Sequence, residues 1–386
     1  MVKRLMKSHQ KNSLQKVVLV ISDLHLSAGK MLRGKRNLLE DFHFDNELID
    51  FLNYYSTGDY LDIEVELVIN GDFLDFLAVP YVEFYDDEFW SETAALAKLR
   101  MIMSAHIGVL DALKRFLTRP RKKIVYIIGN HDAEFVFDSL KEEFLNYFGE
   151  HRSSIILSNT ISTHVPVKGV CIQHGHQYER AHQFDQENAV IETLNGEKYF
   201  IPPWGSYYVT NVINKYKQER SFINAVRPIK HFIIHGILFD TFFTFRFILS
   251  NFYYFVMVRF WHFYMTKKSL KQVFKDLIRE LELFQDYESL TRQFFERATE
   301  SRVLIVGHTH NPTLRIFSDG TTFINTGTWT RMVNLDLGHW NNSHVLTYAK
   351  VLVKRCDFDI AEFDKYVEVD LKHWLGIKNF PYSEYH

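Results

Sequence analysis

Short apolar runs punctuate the first half of the chain at Val17–Ile21, Val65–Ile69, Ile124–Ile128 and Val170–Ile172. Each is rich in β-branched residues and bounded by polar or turn residues, the pattern of strands buried within a sheet. Between them, Asn46–Tyr54 and Glu88–Leu117 carry helical spacing. The alternation predicts βαβ units and a largely parallel central sheet. Strand-like runs resume at Val303–Val306, Thr322–Ile324, Val345–Val353 and Tyr366–Val369.

The stretch between these two halves has another character. His231 to Met265 is crowded with Phe, Tyr, Trp, Ile and Leu. Beyond it, Leu270, Val273, Phe274, Leu277, Ile278, Leu281 and Phe284 recur at helical spacing among charges, which predicts an amphipathic helix. The expected organisation is one α/β catalytic domain, residues 17–180 and 302–370, split by a helical, aromatic-rich insertion at 181–301.

Composition narrows the function classes. A net charge of −2 supplies no global basic field for a nucleic-acid backbone. The two cysteines, Cys171 and Cys356, can form neither a disulfide framework nor a thiolate zinc site, and point to a reducing, cytoplasmic setting. The basic N-terminus (Lys3, Arg4, Lys7, Lys11, Lys16) leads into an apolar stretch too short for a signal peptide, read instead as the first core strand. In the insertion, only Asp240, Arg246 and Arg259 carry charge between Lys230 and Lys267. Its longest uncharged run, Phe247 to Val258, falls short of the ~20 residues that span a bilayer. A helix lying in a membrane interface or lining an acyl-chain pocket fits that composition, and so does a subdomain or dimer interface with its own core.

Each early strand ends at a polar cluster, where ligands of open α/β sheets gather. Five blocks occur in order: Asp23-Leu24-His25, Gly71-Asp72-Phe73-Leu74-Asp75, Gly129-Asn130-His131-Asp132, His174-Gly175-His176 and Gly307-His308-Thr309-His310. Carboxylate, imidazole and amide oxygen without thiolate suit Mn²⁺, Fe or Zn²⁺ rather than Ca²⁺ or a structural zinc. The glycines at 71, 129, 175 and 307 let the backbone turn sharply and bring the next side chain inward. Elsewhere, His106, His164 and His373 read as satisfied core residues.

The five blocks, complete and in register, resemble the calcineurin-like metallophosphoesterase superfamily over residues 17–180 and 302–370. The resemblance implies a four-layer α/β/β/α sandwich with two divalent cations, Mn²⁺ foremost and Fe or Zn²⁺ as alternatives. It implies one cation held by Asp23, His25, Asp72 and His310, and a second held by Asp72, Asn130, His174 and His308. Such a pair activates water and clamps the phosphoryl oxygens for in-line displacement. By the same resemblance, His131 stabilises developing charge or protonates the leaving oxygen, Asp132 orients His131, and Asp75 supports the metal ligands. His176 competes with His174 as ligand, and the family pattern favours the first histidine after the strand.

The tail His308-Thr309-His310-Asn311-Pro312 with Ile324-Asn325-Thr326-Gly327-Thr328-Trp329 resembles the branch containing UDP-2,3-diacylglucosamine hydrolases, which also carry a helical lid between the fourth and fifth blocks. That branch has Arg where this chain has His131, so the substrate match is incomplete. The leading expectation is a lipid-linked or nucleotide-linked phosphoester or pyrophosphate, with peripheral contact to the inner membrane face through 231–265. Arg33 and Arg36, with Lys30 and Lys35, follow the first block and could hold a second phosphate; a solvated basic loop is the plainer reading. The rivals are a nucleic-acid or cyclic-nucleotide phosphodiesterase and a non-catalytic scaffold. The apolar insertion argues against the nucleic-acid form, and the intact ligand set against the scaffold.

Overall fold

A computed structural model describes residues 14–376 other than 85, 158–161, 180, 221–222, 224–225, 228–236, 239, 267–292, 332 and 335–345. In the first sheet β1 (Lys16–Ile21), β2 (Glu64–Asn70), β3 (Lys122–Ile127) and β4 (Ile155–Leu157) run parallel. The late strands β12 (Thr347–Val353) and β13 (Val367–His373) extend it antiparallel on the far side of β1, giving the order β13-β12-β1-β2-β3-β4. The second sheet contains β5 (Thr163–Val167), β6 (Val170–Gln173), β9 (Val303–Val306), β10 (Thr313–Ile316) and β11 (Thr322–Asn325), in the order β10-β11-β9-β6-β5. There, β9 pairs parallel with both β6 and β11, and the edge strands are antiparallel. The parallel sheet expected from the sequence is thus two mixed sheets. Antiparallel strands feed in from the C-terminal third, where no intervening helix pattern marks a crossover.

Strand alternation explains the layering. In β1, Val17, Leu19 and Ile21 face helices α1 (Asp45–Ser56) and α3 (Ile107–Leu117), meeting Phe51, Leu52, Val109 and Leu113. Val18 and Val20 face the second sheet, meeting Val170, Ile172, Val303 and Ile305. A strand buried on both faces has to be apolar throughout, which is why its sequence reads as an unbroken run. The outer face of the second sheet carries Cys171, Leu304, Val306 and Phe323 against Phe294 and Phe295, from a helical turn at 293–297. The amphipathic pattern at 270–284 lies outside the described residues.

Glu88–Leu117 does not form one helix. Helix α2 (Glu92–Ala105), capped by Ser91 Oγ accepting from the Ala94 amide at 3.1 Å, turns through 81° into α3 at His106. The buried His106 ring meets Asp45 at 2.6 Å and lies 3.5 Å from Glu40, locking the bend to the loop behind the first block. His164 is likewise satisfied, 2.6 Å from buried Glu66. His373 is exposed at the end of β13, contrary to the core reading, and Trp374 just beyond the strand is buried instead.

The insertion begins with strands, not helices: β7 (Val190–Glu192) pairs with β8 (Lys198–Phe200). Ala189 and Phe200 join the main core. A helical run follows through Trp204–Tyr208, a π turn at Val209–Ile213, and Asn214–Lys217. It is pinned to the catalytic domain, since Asn214 Nδ2 donates to the Leu77 carbonyl at 2.7 Å and buried Lys217 Nζ donates to Leu39 O at 2.8 Å and Asp41 at 2.6 Å. Helix α4 (Asp138–Asn146) packs Leu140 and Phe144 into the main core, and in the insertion helix α5 (Thr241–Thr266) lays Phe243, Phe247 and Tyr254 on Val212 and Tyr216. Among the described residues, no single helix is long and apolar enough to cross a membrane. The bent pair α2–α3 meets that measure only jointly, and most of its apolar residues are core.

Candidate metal centre

The carboxyl ends of β1, β2 and β3 deliver Asp23, Asp72 and Asn130 from the first sheet, and those of β6 and β9 deliver His174 and His308 from the second. The two sheet ends come close enough that a Cβ on Gly71 would lie 2.3 Å from His174 Nδ1, and one on Gly129 would lie 2.2 Å from Asp72 Oδ1. Glycine at both positions is therefore a condition of assembling the site. Seven described non-glycine residues have positive φ, and five of them are Asp23, His25, Asp72, His308 and His310. Backbone held in that sparse region at so many predicted ligands is strain concentrated where the side chains converge.

Three groupings bring ligand atoms within 4.8 Å of one another at the predicted positions: Asp23 with His25 and His310, His25 with Asp72 and His131, and Asp72 with His174 and His308. Their tautomers are set from outside. His174 Nδ1 donates to the Asn70 carbonyl at 2.7 Å, so Nε2 is left for Asp72 Oδ2 and Asn130 Oδ1, each at 3.3 Å. His25 Nδ1 lies 3.1 Å from Asp75, which turns its Nε2 toward His310 Nε2, also at 3.1 Å. Two imidazole nitrogens at that distance, beside Asp72 at 3.9 Å and Asp23 at 3.4 Å, form a donor set that a cation would satisfy.

The charge balance points the same way. Asp23, Asp72 and Asp75 are buried, and among the described residues their ion pairs are all with histidines. Burial opposes ionisation of Asp72, yet the surrounding histidines, His174 foremost, hold it well below the usual carboxylate range. Burial would depress His174, but Asp72 and Asp23 outweigh it and raise the ring to about 10. So dense a buried carboxylate field calls for cations.

His131 lies at the edge of this cluster. Its backbone N–H donates to Asp72 Oδ1 at 2.8 Å, and its Nδ1 meets Asp75 Oδ1 at 3.0 Å. Asp132 does not orient it. The Asp132 carboxylate is taken up by the Gly129 amide at 2.5 Å, the Phe73 amide at 3.0 Å and the Tyr126 hydroxyl at 2.7 Å. It ties the second and third loops together, and Asp75 has the orienting role. His176 is buried behind His174, stacked on Phe184 at 5.3 Å, and belongs to none of the ligand groupings. Arg33 and Arg36 are exposed on a small ribbon, Met31–Leu32 against Lys35–Arg36, whose pairing orients it as a solvent-facing turn.

Two further residues stand beside the cluster. Glu179 Oε2 lies 2.5 Å from His308 Nε2, and His182 Nδ1 lies 3.3 Å from Asn130 Nδ2. Burial above all pushes His182 down to about 4 and keeps it neutral. The only sequence signal was an acid and a histidine three apart just past the fourth block. The Asn325–Trp329 tail is a brace: Thr328 Oγ1 donates to the Asp23 carbonyl at 2.5 Å, and Asn325 Nδ2 donates to Gly307 O at 2.8 Å.

No curated protein matches the sequence. Among solved structures, the chain is similar to a Staphylococcus aureus protein assigned as a 5'-nucleotidase, at 12% identity over 95% of this chain and 55% of that one, with a TM-score of 0.36. The chain thus spans little more than half of that protein's length. It is also similar to a dimetal phosphatase from Danio rerio (10% identity, 88% and 93% covered, TM-score 0.36) and to Vacuolar Protein Sorting 29 from Cryptosporidium parvum (11%, 93% and 98%, 0.30). The sequence model of the calcineurin-like phosphoesterases matches residues 16–312. That match encloses all five motif blocks, and the chain belongs to the calcineurin-like phosphoesterase family of metal-dependent phosphoester hydrolases.

Proposed function

We propose that the chain hydrolyses a phosphoester or pyrophosphate bond in a lipid-linked or nucleotide-linked substrate, using two Mn²⁺ ions. Asp23, His25, Asp72 and His310 would hold one, and Asp72, Asn130, His174 and His308 the other. The observation that carries the metal reading is the convergence of His25 Nε2 and His310 Nε2 at 3.1 Å beside buried carboxylates. When bound, such cations acidify water and neutralise charge on the phosphoryl oxygens.

The chain's own groups complete the chemistry. With Nδ1 tied to Asp75, His131 is left with Nε2 to donate a proton to the leaving oxygen or to stabilise charge on it. Burial works against a charged His131, while the Asp75 carboxylate on its Nδ1 favours the protonated ring. Asn130, His25, His174 and His308 each make a bond on the side away from the proposed cations, which orients them toward the site.

The substrate class rests on α5. Phe242, Phe245, Leu249, Phe252 and Val256, spaced alternately three and four apart, are exposed along one face, Phe242 by 80% and Phe252 by 65%. The helix contains no acidic residue and carries Arg246 and Arg259. An aromatic stripe without acids suits a bilayer surface bearing anionic lipid, or the acyl chains of a substrate drawn from it. The test is Mn²⁺-dependent hydrolysis of UDP-2,3-diacylglucosamine in detergent, with products read by mass spectrometry. Release of UMP, absent in His308→Ala, is the expected result. Cleavage of a small phosphodiester without turnover of that lipid would keep the chemistry and reject the substrate.

A further inference from the structure

The loop after the fourth block makes two contacts that share one target. Glu179 Oε2 accepts from His308 Nε2 at 2.5 Å, which leaves Nδ1 as the nitrogen with a free lone pair. Two residues on from Arg180, the His182 Nδ1 accepts from the Asn130 amide nitrogen at 3.3 Å, which leaves Asn130 Oδ1 facing His174 Nε2. Glu179 and His182 also face each other, Oε2 to Nε2, at 3.6 Å. Asn130 and His308 are proposed ligands of the same cation, and neither is a ligand of the other alone.

The loop runs into the insertion at Ala181, and a later segment of the insertion closes its back. Gly205, in the first helical turn at Trp204–Tyr208, donates its N–H to the Ala181 carbonyl at 2.8 Å. A Cβ there would lie 2.6 Å from that carbonyl and 2.8 Å from His182 Nδ1, the atom that meets Asn130. The insertion therefore packs directly on the group that fixes the amide.

We infer that Glu179 and His182 form a two-pronged clamp that positions His308 and Asn130, and that the insertion sets the clamp through Gly205. The clamp rests on the proposed ligand assignment. It acts on the second cation's subsite and leaves the first, at Asp23, His25 and His310, alone. It also gives the insertion a mechanical route to the centre, independent of any contact with substrate.

The test is calorimetric titration of Mn²⁺ into the full-length, chelator-stripped protein, with the Mn²⁺ electron paramagnetic resonance signal as a second readout. The native chain is expected to bind two ions; fewer than two would overturn the ligand assignment, and the clamp with it. Glu179→Ala and His182→Ala are expected to weaken one ion about 10–100-fold, the usual effect of removing a partner behind a ligand, and to leave the other unchanged. Glu179→Gln, whose carbonyl still accepts from His308, should recover most of that loss. Gly205→Ala should weaken the same ion, although it touches no ligand. Equal weakening of both ions, no weakening, or a Gln variant as impaired as Ala in a chain with native unfolding temperature would each refute the clamp.

Discussion

Asp75 and His131 are joined by a 3.0 Å contact from Oδ1 to Nδ1, while the second oxygen of Asp75 holds His25 at 3.1 Å. One buried carboxylate thus orients both a proposed metal ligand and the proposed acid. The two functions separate by substitution. His131→Ala should lower kcat by about 10²–10⁴-fold, the range of general acid catalysis, with two cations per chain retained. Asp75→Ala should lower kcat and also weaken cation binding, because His25 loses its partner. Kinetics with metal analysis by mass spectrometry checks both, and loss of metal from His131→Ala would refute its assigned role.

The turn carrying His131 and Asp132 is secured by a buried ion pair. Lys98 Nζ of α2 donates to Glu134 Oε1 at 3.1 Å and to the Phe89 carbonyl at 3.1 Å, and lies 3.7 Å over the Phe89 ring. Both charges are fully buried, so removing one strands the other. Lys98→Met is expected to destabilise the fold by about 3–5 kcal/mol, and the double variant Lys98→Met, Glu134→Met to recover most of it. Denaturant unfolding of the native chain and the two variants measures the difference. If the double variant were no better than the single one, the penalty would come from lost packing and not from a stranded charge.

The bend at His106 makes stability depend on pH. Burial opposes the charged ring, but Asp45 and Glu40 outweigh it and raise His106 from 6.5 to about 9. A raised histidine contributes stability that is complete below 6.5 and is lost as pH rises through the folded value. The contribution is about 3 kcal/mol. The stability difference between the native chain and His106→Asn should therefore shrink between pH 6.5 and 9, read by urea unfolding at each pH. A difference that stays constant over that interval would place the role of His106 in packing alone.

Sequence patterning reached the frame of the site more easily than its wiring. β1, β2, β3, β6 and β9 were legible because burial on both faces forces short apolar runs, and the ligands follow where those runs stop. The bend between α2 and α3 was not, because Glu88–Leu117 keeps helical spacing and the break depends on His106 reaching Asp45 across the fold. Asp132, adjacent in sequence, was the expected partner of His131; only the direction of each side chain gives that role to Asp75 instead. Glu179 and His182 acquire meaning only where the second sheet brings their loop against the first. The β7–β8 strands were hidden by an insertion whose later aromatic content dominates its composition.

The exposed stripe of α5 gives the last prediction. Phe243, Phe247 and Tyr254 anchor the helix to Val212 and Tyr216, so the opposite residues can be changed without disturbing that packing. Phe245→Glu with Phe252→Glu places two acids in a face that has none. Cosedimentation with vesicles containing anionic phospholipid should fall at least about tenfold, since both apolar burial and charge attraction are lost. Hydrolysis of a small soluble ester should be unchanged. Deleting residues 231–265 should likewise spare small esters and impair lipid substrates. Equal loss on both substrates would make the stripe structural. A native chain that ignores vesicles but passes from dimer to monomer on substitution would assign the face to a second copy of the chain, and the lipid-linked substrate would lose its support.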